Sequence, residues 1–485
     1  MPSPADEELA AAVTAVRAAH PDLGIVKLWG ALKEAHPEWT VSEKRFRKVL
    51  SSLGGTSNAS TSMPAGKVAE DELVAQTGLD KTLDIPSLAP KVKAKLFGGT
   101  KGKGLVARSK LEQGEMLWQE EPFVATPDPK IKEYCRDRTL CTHCLALWAP
   151  PPPTVVGCKD CSDAFFCNRL CMSRGSSSGS HHVLLCEGVN PGAAKLNKFM
   201  KEREWRSMDA VARILAKWRG ERAWGEEGAA EAIEKRIWES MARMNMRTRE
   251  EGKEDWPKRS AQVESQWRDG HAALVAALNP APSTPGGKKF NAVLQSRAKG
   301  RKIQPLSEDE EARWFSYDAF LDLLGLVNIN LEDSGGLYAL HCHMNHSCEP
   351  NVQVRNLPRH WTPPTSLPAP LPDANPRGVR GTHKLTMLAR RTIHPGDELT
   401  VSYVDFNLPR RARRQALRDG YGFWCVCAKC TREEKEEETE RKRLREEREA
   451  KAAAKGEVKE TKEEGKAQLD DVVAKMEELA VDDML

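Results

Sequence analysis

The sequence predicts an α+β protein: a β-rich core with a cysteine-rich insert, a helical insert, a helical N-terminal bundle and a charged C-terminal helix. Three observations predict it. Residues 105–107, 116–119, 384–389 and 399–403 look like short strands between turn signals. Residues 6–50, 193–278 and the tail from 433 have helical spacing or helix-forming composition. The chain's 13 cysteines crowd mainly into two clusters, 135–186 and 425–430.

At the N-terminus, Ala10, Val13, Val16 and Ala19 make one apolar stripe, and Ile25, Leu28, Leu32 and Ala35 a second. Thr40-Val41-Ser42-Glu43 reads as a capping box opening a third helix over 43–50. These make a small helical bundle over 1–50. Its third helix carries Lys44, Arg45, Arg47 and Lys48, which fits either a nucleic-acid-binding face or a solvated one. A linker over 51–90 begins rich in Ser, Gly and Thr. Beyond the strands and the first cysteine cluster, residues 280–302 read as a flexible insert, 317–326 as a helix and 357–380 as a Pro-rich surface loop.

Of the 485 residues 40% are hydrophobic and 30% charged, with a net charge of +4. That balance gives no overall bias toward nucleic acid. No apolar run is long enough to cross a membrane, and the first ten residues lack the pattern of a secretory leader. The expected setting is a reducing compartment, where cysteines serve as thiols or metal ligands.

The first cluster runs Cys141-x-x-Cys144, Cys158-x-x-Cys161, Cys167, Cys171, His181, His182 and Cys186. Zinc takes four Cys or His ligands in a tetrahedron, and a two-residue gap lets two thiolates reach one ion, so eight ligands make two sites. Three further motifs follow a Thr-Lys-Gly-Lys-Gly turn at 100–104. They are Asn345-His346-Ser347-Cys348-Glu349-Pro350-Asn351, Glu398-Leu399-Thr400-Val401-Ser402-Tyr403, and Cys425-Val426-Cys427-Ala428-Lys429-Cys430 preceded by Phe423. Taken singly, the Asn-His pair also reads as a capped turn, and the tyrosine as a packing residue.

In this order the motifs resemble the SET domain with its post-SET zinc loop. The first cluster is similar to the MYND zinc finger, with Phe166 before Cys167. One inserted in the other resembles the SET-and-MYND protein-lysine methyltransferases, within them a fungal histone-lysine branch, over residues 96–430. The resemblance implies a SET core in two parts, 91–136 and 316–406. It also implies a MYND module at 141–186, a helical insert with a flexible loop at 187–315, a post-SET loop at 407–430 and a charged tail at 431–485. It implies zinc on Cys141, Cys144, Cys167 and Cys171, on Cys158, Cys161, His182 and Cys186, and on Cys348, Cys425, Cys427 and Cys430. The family's tryptophan ahead of that histidine is absent, a Ser/Gly run over 176–180 standing there instead.

The implied cofactor is S-adenosylmethionine, held by backbone at Lys101, Gly102 and Lys103, by Asn345 and His346, with a further contact from Asn328 and Phe423 stacked on the adenine. Tyr403 is the implied catalytic residue and also borders the cofactor. Tyr338 fits either the lysine channel or the core. Methyl transfer to lysine needs a neutral amine, although free lysine has a pKa of about 10.4. A desolvated channel beside a sulfonium lowers that value, and a tyrosine hydroxyl can orient the lone pair. The implied substrate is a basic lysine-bearing protein tail, a core histone of the H4 type. Glu332, Asp333, Glu349 and the acidic tail are candidates to attract it. Methylation of non-histone proteins, an inactive zinc adaptor in chromatin complexes and a DNA-binding regulator are the competing readings. The expected state is a monomer in the nucleus, on chromatin, with some in the cytoplasm.

Overall fold

The computed structural model describes residues 4, 6–19, 25–42, 45–46, 49, 73–98, 101–127, 138–148, 150–177, 182–298, 300–332, 335–358, 361–372 and 382–482. Most of the expected third N-terminal helix, linker residues 51–72, Cys135, His181, Asp333 and residues 373–381 of the Pro-rich stretch lie outside them.

The helices Asp6–Ala19 and Ile25–Ala35 form where the two apolar stripes were read. They close a small core on Leu9, Val13, Leu28, Leu32 and Phe46.

The strands, in chain order, are β1 (Val92–Leu96), β2 (Lys103–Ala107), β3 (Met116–Glu120), β4 (Val124–Ala125), β5 (Val156–Gly157), β6 (Phe165–Phe166), β7 (Gly336–Leu337), β8 (Asn345–His346), β9 (Val352–Arg355), β10 (Leu385–Ala389) and β11 (Glu398–Val401). They assemble into small sheets of order β1-β2-β11-β8, β3-β10-β9, β4-β7 and β5-β6. β2 and β10 are buried at every position and lie inside their sheets. A strand covered on both faces has no need of polar alternation. Leu105, Leu117, Trp118, Tyr338, Leu385, Met387 and Leu399 pack into one core between these sheets.

A helical lobe interrupts the strands. The helices Arg206–Trp224, Trp256–Leu278 and Tyr317–Asn330 pack around Trp218, Trp314, Phe320 and Leu274. Arg206–Trp224 is buried along most of its length, which suits the centre of an all-helical core. The flexible insert expected over 280–302 is corrected: Pro285–Arg297 is a helix. Thr284 caps it by accepting from Gly287 N–H, Pro285 starts it, and Phe290 and Leu294 bury one turn apart. In sequence the Pro-Gly-Gly start reads as a loop, because glycine and proline carry low helix propensity and mask the Thr284 cap and the Phe290–Leu294 spacing.

The last helix, Ala428–Asp482, begins inside the second cysteine cluster, earlier than the composition suggested. Its described side chains beyond the first turns are mostly exposed and form i,i+4 pairs such as Arg445 with Glu449 at 2.7 Å. Among the described residues no helix is long and apolar enough to cross a membrane.

Trp314 is fully buried, stacks on Trp218 at 4.6 Å and meets Trp238 edge-on at 5.4 Å. Trp314→Ala is expected to cost about 3–5 kcal/mol in denaturant unfolding, because the lobe cannot close a cavity of that size. A loss below ~1 kcal/mol would show that this aromatic stack does not carry the lobe.

Candidate functional site

The site starts from two residues of parallel strand. Asn345 and His346 in β8 pair with Thr400 and Val401 in β11. Ser347 N–H continues the pairing to Val401 O at 2.8 Å. Asn351 locks the register: its amide donates to Glu398 O at 2.8 Å and its carbonyl accepts from Thr400 N–H at 2.8 Å. The Asn-His segment therefore lies beside the turn that carries Tyr403.

Tyr403 sits two residues past β11, half-buried. Its backbone N–H donates to His346 Nδ1 at 3.0 Å and its hydroxyl donates to Met344 O at 2.6 Å. Its ring lies 5.4 Å from His346 and 4.6 Å from Tyr421. Burial, and behind it Tyr421, push the phenol well above its usual range. It stays protonated near neutral pH, with its oxygen lone pairs left to accept.

His346 is pushed down to about 4 by burial, with the Arg413 charge adding to the effect. The neutral ring accepts at Nδ1, so the proton is assigned to Nε2, which donates to Cys348 Sγ at 3.2 Å. Phe423 lies against the same ring at 6.3 Å. Asn345 spends both amide hydrogens, on Lys103 O and Glu398 Oε1, each at 2.8 Å. Its carbonyl oxygen remains to accept from a ligand. Glycine is required at 104, where a Cβ would stand 2.4 Å from the Phe97 ring and 2.9 Å from the Asn345 amide. Gly102 has φ +69° and makes the bend ahead of β2.

Three ligand groups form, each with its ligand atoms within 4.8 Å of one another. They are Cys141, Cys144, Cys167 and Cys171; Cys158, Cys161, His182 and Cys186; and Cys348, Cys425, Cys427 and Cys430. Tetrahedral Zn–S bonds of about 2.3 Å set sulfurs about 3.8 Å apart. Cys144 and Cys167 are at 3.5 Å, Cys158 and Cys186 at 4.0 Å, and Cys348 and Cys425 at 3.9 Å. The residues fit zinc. In the third group Arg413, 1% exposed, aims Nη2 at Cys430 Sγ at 3.7 Å and pairs with Glu433. Four thiolates around one Zn²⁺ leave net negative charge, which this buried guanidinium offsets.

The SET domain model matches residues 102–404, well over half of the chain. The chain belongs to the SET domain family. Histone-lysine N-methyltransferase SET5 of Mycosarcoma maydis is 29% identical, the match covering 84% of this chain and 82% of that protein. The protein of the same name in Meyerozyma guilliermondii is 24% identical over 85% and 76%, and that in Candida albicans 24% over 85% and 77%.

Within the SET core, the structure gathers Lys103, Asn345, His346, Tyr403 and Phe423 around one junction. Lys101 reaches it through its side chain, paired with Glu398 Oε2 and lying 4.4 Å over the Phe97 ring. Asn328 is not gathered there. It sits on the helix Tyr317–Asn330, accepting from Ser207 Oγ at 3.1 Å and donating to Leu324 O at 2.8 Å. The neighbouring Asn330 reaches across the lobe to Ala242 O at 2.7 Å. Tyr338 is a core residue, fully buried, its hydroxyl donating to His383 O at 2.5 Å. Two clefts of about 400 and 350 Å³ run beside β3, and neither is lined by Tyr403, Asn345 or His346. The motif residues thus meet away from both.

Sequence reasoning missed Glu398, Asn351, Tyr421 and Arg413. The first two lie inside motifs already singled out. It also missed how Glu120 accepts from Leu340 N–H at 2.7 Å and His341 N–H at 3.0 Å, fixing the turn that leads to Met344.

His341 Nε2 contacts Glu332 Oε1 at 2.5 Å. Burial opposes the charge on each, but the partner outweighs it: His341 is raised above 6.5 and Glu332 lowered below 4.5. The His341 contribution is full below 6.5 and lost as pH rises through its raised value. The Glu332 contribution is present above 4.5 and lost as pH falls through its lowered value. Glu332→Gln is therefore expected to destabilise most between these two ordinary values, with the deficit shrinking on either side in denaturant titrations. A deficit independent of pH would contradict the pairing.

Proposed function

We propose that the chain is an S-adenosylmethionine-dependent histone-lysine methyltransferase. One observation carries the reading: a protonated tyrosine hydroxyl, the Asn345 acceptor and a neutral His346 converge where β8 meets β11, inside a SET domain match. The relatives named as histone-lysine methyltransferases, matched over most of their length, support the same activity and substrate class.

When bound, S-adenosylmethionine supplies an activated methyl on a sulfonium sulfur. The residues here fit that group. Asn345 offers its carbonyl oxygen to the cofactor's ammonium. The backbone at 101–103 approaches closely because Gly102 and Gly104 have no side chains, and Phe423 offers an aromatic face. Tyr403 keeps its own proton on Met344 O, so its oxygen accepts from the incoming lysine amine and aims the lone pair. It orients a neutral amine and takes no proton from it, since its phenol sits above the usual range.

The finer assignments belong to the same proposal. The first two ligand groups are a MYND-type module with two zinc ions. The third is a post-SET site with one, which ties Phe423 and Cys348 into a single unit beside His346. The boundaries at 136, 141, 186, 316, 406 and 430 divide the chain accordingly. The substrate is a lysine-bearing histone tail, of the H4 type, met by a nuclear, chromatin-associated protein acting as a monomer.

Incubating the purified chain with labelled S-adenosylmethionine and core histones tests the activity. Tyr403→Phe is expected to lower transfer by about a hundredfold or more while calorimetry still detects the cofactor. Equal labelling by both proteins removes Tyr403 from the mechanism, and no cofactor binding by the parent favours a zinc adaptor.

Metal analysis is expected to find one zinc for each of the three ligand groups. Cys425→Ser is expected to lose one zinc and weaken cofactor binding by about 10–100-fold, because His346 donates to a ligand of that site. Full zinc content in this variant would rule out the third site.

A further inference from the structure

Cys342 is the one cysteine among the described residues that belongs to none of the three ligand groups. It is not isolated. Lys103 Nζ lies 3.5 Å from its sulfur and also donates to Ser240 O at 2.6 Å. Lys103 is 4% exposed and pairs with no carboxylate among the described residues. The nearest candidate, Asp80, is engaged by Arg236 at 2.6 Å and by Thr82. His343 approaches the same sulfur through Nδ1 at 3.6 Å. His343 Nε2 accepts from Asp80 N–H at 3.3 Å, and burial pushes the ring down to about 3, so the ring is neutral with its proton on Nδ1. The sulfur thus receives two N–H donors, one from an amine and one from an imidazole. A buried lysine and a half-buried cysteine in contact form a nucleophile pair that methyl transfer does not use.

We propose that Lys103 and Cys342 form a reversible oxidative cross-link site, in which hydrogen peroxide joins the two side chains through a sulfur–nitrogen bond. In the first step the sulfur attacks one peroxide oxygen and the O–O bond breaks. The thiol proton passes to the leaving hydroxide, giving sulfenic acid and one water. In the second step the Lys103 nitrogen attacks the sulfenic sulfur, the S–O bond breaks and hydroxide leaves with a proton from nitrogen as a second water. One thiol, one amine and one peroxide give one S–N bond and two waters; sulfur is oxidised and peroxide reduced. Sulfenic acids are known to condense with nitrogen in this way and to be restored by thiols. Burial disfavours the Lys103 ammonium and so favours the neutral amine that the second step needs.

The location gives the link a consequence. Lys103 O accepts the Asn345 amide, and Cys342 lies three residues before Asn345. Drawing Nζ onto Sγ pulls on both chain segments that set the Asn345 carbonyl, so the link weakens donor binding. This last part rests on the methyltransferase reading. The cross-link itself does not.

The experiment uses the full, zinc-loaded chain, treated with stoichiometric hydrogen peroxide, alkylated and cut by a protease that does not need lysine. Mass spectrometry is expected to find the peptides carrying Lys103 and Cys342 joined, lighter than their sum by two hydrogens, and released by dithiothreitol. Lys103→Arg and Cys342→Ala are each expected to abolish the joined species. Cys342 recovered as sulfinate or disulfide with the Lys103 peptide unlinked overturns the proposal, as does a link that persists in Lys103→Arg. In parallel, affinity for S-adenosylhomocysteine is expected to fall by about tenfold on oxidation, the scale of one charge-assisted hydrogen bond, and to return with thiol. A joined species with unchanged affinity overturns the coupling to the donor site. Failure of the untreated chain to bind S-adenosylhomocysteine counts against the methyltransferase reading and leaves the cross-link to its own test.

Discussion

The two-residue parallel pairing of β8 with β11 is the contact on which the site depends. So short a ladder has little strength of its own. It holds because Asn351 supplies both a donor and an acceptor to the β11 backbone, acting as a third rung. β11 in turn pairs with the fully buried β2, which carries Lys103 and Gly104. Three distant stretches of chain are thereby brought to one junction, and each hydrogen bond there serves two of them.

The junction is rich in polar groups yet poor in charge. Tyr403 keeps its proton and His346 has lost its own, both because burial disfavours the ionised forms. The charges that remain are tied at the rim, as in Lys101 with Glu398. An uncharged interior suits a reaction whose nucleophile must be a neutral amine, since nearby carboxylates would restore the lysine proton.

Away from the junction the structure staples what packing alone would leave loose. The first cysteine module gathers its cysteines with Ala164 and Phe166 into a small cluster, with Trp148 and Met172 against it. At the other end, Cys348 from the Asn-His motif joins Cys425, Cys427 and Cys430, and the Arg413 guanidinium sits against them. The helical lobe needs no such device, because Trp218, Trp314 and Trp267 give it a large apolar core.

The sequence alone determined what was local. Paired cysteines at two-residue gaps, the Asn-His-Ser-Cys motif and a tyrosine at the end of a strand are readable because their chemistry depends on residue type and short spacing. So are the apolar stripes that became Asp6–Ala19 and Ile25–Ala35. The helix Pro285–Arg297 was open to reading too, through its Thr284 cap and its Phe290 and Leu294 spacing, but glycine and proline masked it. Only the tertiary structure decided which partners lie far apart in the chain. Asn328 and Asn330 look alike in sequence, yet one is spent on Ser207 and the other reaches Ala242. Glu398 joins Lys101 to Asn345, and Cys342 meets Lys103 across more than two hundred residues. No spacing rule encodes such pairs, because they follow from how separate strands and helices share one interior.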